Sequence, residues 1–87
     1  MRDVYGVAAF RSRQQVLRFE AALRQRGVPT QVVTTPRDIS MGCGLSVRFP
    51  VESLPEVRRA ILTQNTSNLI GLYRAEYDGT RLRVRPA

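Results

Sequence analysis

Residues 45–56 read Leu45-Ser46-Val47-Arg48-Phe49-Pro50-Val51-Glu52-Ser53-Leu54-Pro55-Glu56, and the fold turns on this stretch. Leu45 to Phe49 alternate apolar and polar side chains, the period of a strand with one buried face. Leu45, Val47 and Phe49 then point inward, and Pro50 closes the strand. Ser53 followed three residues later by Glu56 predicts a capping box, with Pro55 in the first turn, where its missing N–H is not needed. Val57, Ala60 and Ile61 recur at helical spacing and face inward, while Arg58 and Arg59 face away. A strand thus runs directly into a capped helix.

The same unit stands upstream. Val4 to Phe10 (VYGVAAF) is a short apolar run that reads as a buried strand. Ser12-Arg13-Gln14-Gln15 is a second capping-box pattern, followed by Val16, Phe19, Ala22 and Leu23 at helical spacing. Gly27 predicts the helix stop, and Pro29 follows it. Gln31 to Thr35 is β-branched and short, a strand. Residues 36–44 have no period and are bounded by Pro36 and Gly44, which predicts a loop.

Downstream, residues 64–68 are a polar break and Leu69 to Tyr77 a further strand. Asp78-Gly79 predicts a two-residue hairpin turn. Symmetric pairing about it sets Tyr77 opposite Thr80, Ala75 opposite Leu82 and Tyr73 opposite Val84, with Glu76 facing Arg81 and Arg74 facing Arg83. The order β-α-β-β-α-β-β predicts an α+β two-layer sandwich, a ferredoxin-like βαββαβ core with an extra C-terminal hairpin strand. Residues 1–87 read as a single domain. Two helices can cover only one face of the sheet, so the other must meet solvent, a ligand or a second subunit.

Composition narrows the chemistry. The chain has 87 residues, no His and one Cys. Ser-His-Asp and Cys-His catalysis and His metal sites are therefore impossible within it, as are an internal disulfide and a Cys-only zinc site. Neither a metal nor a cofactor is expected. A lone thiol fits a reducing compartment. No apolar run is long enough to cross a membrane, and residues 1–10 show no secretory pattern, so the expected location is the cytoplasm. All fourteen basic residues are Arg, spread along the whole chain, and the net charge is +7. Such a balance speaks to association with anionic partners and not to fold. The aromatic residues fall mostly at inward positions and no basic-aromatic nucleic-acid motif is present, so nucleic acid is not the expected partner.

The loop 36–44 holds the chemistry-bearing residues. Cys43 lies between Gly42 and Gly44. A free Cys is often simply a small buried residue. Its other reading is a reactive thiol: flanking glycines leave the sulfur accessible and let backbone N–H groups converge on it. Arg37 adds a cation to the same loop, and both features favour the nucleophilic thiolate. Ser40 and Asp38 read more simply as loop hydrogen-bonding groups, and Met41 as packing beneath the loop.

The stretch Thr35-Pro36-Arg37-Asp38-Ile39-Ser40, then Cys43-Gly44-Leu45 and Phe49, resembles the signature of the small proteins known as the putative Se/S carrier protein-like family. Phe10, Ser12, Glu20, Leu23 and Gly27-Val28-Pro29 agree with it in the first half. The resemblance covers residues 5–75 and leaves 76–87 as a C-terminal hairpin extension. It implies a carrier that holds sulfur or selenium as a persulfide or selenopersulfide on Cys43, with Arg37 as the loop arginine. Beside it, the reading of the residues themselves makes Ser40, Gly42 and Gly44 the supporting groups for the thiolate. The implied partners are a desulfurase-like donor of sulfur or selenium and an acceptor protein. The chain therefore reads as a carrier or binding protein rather than a self-contained enzyme. The alternative is a non-catalytic ferredoxin-like module for binding, regulation or homo-oligomerisation through the open sheet face.

Overall fold

The structure is a computed structural model and describes residues 3–37, 39, 44–64 and 67–87. Five strands and two α-helices follow one another as β1 (Asp3–Phe10), α1 (Arg13–Gln25), β2 (Gln31–Thr34), β3 (Leu45–Pro50), α2 (Leu54–Thr63), β4 (Leu69–Tyr77) and β5 (Leu82–Pro86). A 3-10 turn, Val51–Ser53, leads into α2. The strands form one sheet in the order β2-β3-β1-β4-β5. Every neighbouring pair is antiparallel. The α+β class expected from the sequence is the class observed, with five strands in one antiparallel sheet and two helices.

The strand period explains which residues each layer buries. On the helix side Ala8 and Phe10 of β1 and Val47 and Phe49 of β3 join Val16, Phe19 and Leu23 of α1 and Val57 and Ala60 of α2 in one cluster. Phe10 and Phe19 meet at 5.2 Å between ring centroids, tilted by 52°, a favoured aromatic geometry. Val7 and Ala9 alternate with these residues and are also fully buried, on the opposite face. Gly6 is directly across from Phe49 in the β1–β3 register. The Phe49 ring occupies the space over Gly6, so that a Cβ there would collide with it.

The end of α1 follows its sequence signals closely. Gly27 has φ +81°, its N–H donates to the Arg24 carbonyl, and the Val28 N–H donates to the Leu23 carbonyl. This is the Schellman arrangement, in which Leu23 and Val28 also share the core. At the start, Ser12 Oγ accepts from the Gln15 N–H at 3.3 Å, as expected. The other half of the capping box does not close on Ser12: Gln15 Oε1 accepts from the Asn68 N–H at 2.9 Å and ties the helix to the entry of β4.

The second capping box is corrected. Ser53 makes no side-chain cap bond. It has φ −84° and ψ 1°, the end of a 3-10 turn, whereas an N-cap side chain reaches the N3 amide from an extended backbone. Glu56 pairs instead with Arg26 and Arg59. The hydrogen bond from Arg26 is the largest of the influences that hold its carboxyl below the usual range.

The hairpin register is also corrected, by two residues. Tyr77 is opposite Leu82, Ala75 opposite Val84, Glu76 opposite Arg83 and Arg74 opposite Arg85. An even shift preserves which residues share a face, so the expected apolar face survives while the partners change. The reason lies in the turn. Only Gly79, at φ +101°, has a positive φ there, so Asp78 does not enter a type I′ turn. Its carboxylate instead accepts from the Thr80 N–H, the Thr80 hydroxyl and the Arg81 N–H at 2.9, 2.7 and 3.1 Å. Asp78 to Arg81 thus form one capped loop.

Those bonds, the Thr80 hydroxyl first, hold the Asp78 carboxyl well below its ordinary value of 3.8. A depressed folded-state pKa means that its stabilisation is complete above 3.8 and fades as pH falls through the lower folded value. The Thr80 and Arg81 amide resonances are therefore expected to hold their positions at pH 4 and to move only in stronger acid. Movement centred near pH 4 would contradict the capped turn.

Candidate functional site

Residues 36–43 connect β2 to β3, and the strand ends that flank them are closed by three residues. The Thr35 N–H donates to the Gly44 carbonyl at 2.9 Å. The Thr35 and Ser46 hydroxyls lie 2.6 Å apart in a hydrogen bond that either can donate. Both residues are buried. Val33 is across from Ser46 and Ser46 across from Ala9, which puts this hydroxyl pair on the sheet face away from the helices. Gly44 fits tightly against it: a Cβ there would stand 3.0 Å from Thr35 Oγ1 and 3.8 Å from the Phe10 carbonyl.

Arg37 is exposed. It follows Pro36 in a turn closed by the Ile39 N–H donating to the Pro36 carbonyl at 3.0 Å. Cys43, Ser40 and Gly42, and with them Asp38 and Met41, lie outside the described residues. Of the expected site residues the structure therefore places Arg37 and Gly44. Gly44 has a packing reason to be glycine, its contact with Thr35. The sequence reading missed the pairing of Thr35 with Ser46. Their signal was available: once Gln31–Thr35 and Leu45–Phe49 are taken as adjacent antiparallel strands, two hydroxyl residues bracket the loop.

A buried hydroxyl pair makes a sharp expectation. Thr35→Val or Ser46→Ala alone strands one buried hydroxyl and is expected to cost about 1–3 kcal/mol. The double variant removes both partners and is expected to cost less than the sum of the two singles, read from urea unfolding as a double-mutant cycle. Strict additivity would show that the bond does not hold the loop base.

The sheet face away from the helices is largely covered by the chain's own side chains. The Arg48 guanidinium sits 3.8 Å above the Tyr5 ring centroid, a cation–π distance, and pairs with Asp3 at 2.8 Å. The Tyr73 ring folds along β4 over Gly71, where a Cβ would stand 3.1 Å from it. Val7, Ala9, Ser46 and Ala75 beneath are fully buried. A cavity of about 430 Å³ lies beside this face, lined by Asp3, Tyr5, Thr30, Gln31, Arg48 and Glu52 among others. It is at the opposite ends of β1 and β3 from Phe10 and Gly44, and so away from the cysteine loop.

Among the described residues no group of His, Cys, Asp and Glu side chains is arranged to hold a metal ion, and no helix is long and apolar enough to cross a membrane. No curated protein and no solved structure matches the chain. A family does. The family described as putative Se/S carrier protein-like matches residues 5–73, from within β1 to within β4, with the hairpin loop and its closed base inside the match. That span is most of the chain, and the protein belongs to the putative Se/S carrier protein-like family.

Proposed function

We propose that this protein carries sulfur or selenium on Cys43, as a persulfide or selenopersulfide, between a desulfurase-like donor and an acceptor protein. Membership of the carrier family over residues 5–73 is the observation that carries the proposal. The chemistry needs only one sulfur. The Cys43 thiolate attacks the outer sulfur of a donor persulfide; the donor's S–S bond breaks and the donor leaves as a thiolate. Unloading repeats the exchange, with the acceptor thiolate taking the outer sulfur and Cys43 leaving. Electrons balance without an external oxidant, and no histidine base is required when the attacking group is already a thiolate.

The supporting roles belong to the same proposal. Arg37, exposed on its turn, favours the anionic sulfur by its charge, while Ser40, Gly42 and Gly44 supply hydrogen bonds and access. The closed base at Thr35, Gly44 and Ser46 supports it by fixing the strand ends on either side of residues 36–43. A ferredoxin-like assignment goes with this reading. Its support is the interleaving of β2-β3-β1-β4 by two β-α-β passages, with β5 added outside them. A single domain in a reducing compartment completes the proposal.

The test is native mass spectrometry after incubation with a cysteine desulfurase and cysteine. The expected product gains about 32 Da, one sulfur, removable by dithiothreitol and located on Cys43. A protein that stays unmodified, with a thiol inert to alkylation in the folded state, would overturn the carrier function. Assembly through the face away from the helices has weaker support, because Arg48 and Tyr73 already cover its centre.

A further inference from the structure

The β4–β5 hairpin presents a second feature, unrelated to the cysteine loop. Arg74 has the parity of Leu72, which packs on the core, and so lies on the helix side of the sheet; unlike Leu72 it is exposed. Arg85 is directly across from it, and Arg83 is across from Glu76. These four residues line a cavity of about 310 Å³. Arg74, Arg83 and Arg85 appear in none of the ion pairs found among the described residues, which engage Arg24, Arg26, Arg48 and Arg59. The neighbouring carboxylate of Asp78 is committed to its own turn.

Two like charges directly opposite on a ladder destabilise it, and here the Arg74–Arg85 pair is one. Charges on an edge strand guard against unwanted strand pairing, which accounts for Arg83 and Arg85 on β5. It does not account for Arg74, on the strand inside the edge. An anion between the guanidiniums would offset the repulsion. Its class follows from the lining. A single carboxylate is satisfied by one guanidinium fork, whereas three forks around one cavity suit an anion with several oxygens and more than one charge.

We propose that Arg74, Arg83 and Arg85 form a binding site for a multivalent phosphate group. The ligand is either a free diphosphate-class anion or the backbone of a single-stranded nucleic acid; the chemistry recognised is the same. Binding weakens steeply with added salt, since the site is exposed and its attraction is screened. Glu76, across the ladder from Arg83, adds one negative charge to the lining and so limits the total charge the site accepts. The site needs neither Cys43 nor the carrier function.

The test uses the full chain at low salt, with inorganic pyrophosphate and a short single-stranded oligonucleotide as separate probes in isothermal titration calorimetry. Arg74→Gln/Arg85→Gln is expected to weaken binding at least about tenfold. The exposed pair Arg13→Gln/Arg58→Gln removes the same charge elsewhere and is expected to leave it within about twofold. Preferential binding of pyrophosphate names a free anion as the ligand; preferential binding of the oligonucleotide names the polymer. Equal losses in both double variants, no saturable binding of either probe, or tighter binding of a polyglutamate peptide than of both would each overturn the proposal. Circular dichroism of the variants separates loss of the site from loss of the fold.

Discussion

Phe49→Ala is expected to remove about 3–5 kcal/mol of stability, the usual cost of truncating a buried Phe. Phe49 is 1% exposed and belongs to the core on the helix side. A chain of 87 residues has only about 4–13 kcal/mol to lose, so the variant is expected to forfeit a large share of its stability, read as a lower urea midpoint. The matching change is on the other side of the contact. Gly6→Ala places a Cβ where the Phe49 ring now lies, and overpacking of this kind costs about 1–3 kcal/mol.

The two changes are expected to couple. With Phe49→Leu the ring is gone, and Gly6→Ala should then cost at least 1 kcal/mol less than it does alone, an interaction energy within the usual range for residues in contact. Urea unfolding of the two single variants and the double reads this directly. Gly6→Ala with an unchanged midpoint would show that the ring and strand can separate freely, and the packing argument would fail.

Cys43→Ser carries the largest expected effect on function. The hydroxyl is not a thiolate and forms no persulfide, so loading by desulfurase should vanish while the unfolding midpoint stays within error of wild type. Arg37→Gln should load more slowly by severalfold and raise the pH midpoint of Cys43 alkylation toward the ordinary thiol value of about 8.5. An unchanged midpoint would take Arg37 out of the mechanism and leave the loop amides to hold the anion. Residual loading of Cys43→Ser would place the transferred sulfur elsewhere and end the proposal.

Local signals in the sequence proved readable where one residue fixed the geometry. Gly27 stops α1 because its positive φ is cheap only for glycine, and the Ser12 cap follows from an extended backbone beside the first turn. The same Ser-x-x-Glu pattern at Ser53 misled, since Pro50 and the 3-10 turn after it set a backbone that the pattern does not encode. Asp78-Gly79 located the hairpin but not its register, because the Asp78 side chain built a longer turn through Thr80 and Arg81. Contacts between residues distant in the chain were the least legible. Nothing local announces that Phe49 covers Gly6 or that Gln15 reaches Asn68. The candidate site is a grouping of residue types in the sequence, Arg37 and Cys43 six positions apart; the hydroxyl clasp at Thr35 and Ser46 belongs to the strand pairing.

The bonds of Thr35 to Gly44 and to Ser46 close the sheet at the strand ends on either side of residues 36–43. Closure entropy grows only logarithmically, and doubling the length of such a segment adds about 0.6 kcal/mol. The sheet is therefore nearly indifferent to how many residues sit above the clasp. Insertions and wholesale exchanges of residues 36–43 should leave the scaffold standing, so that this segment can vary in sequence without renegotiating the architecture that bears it.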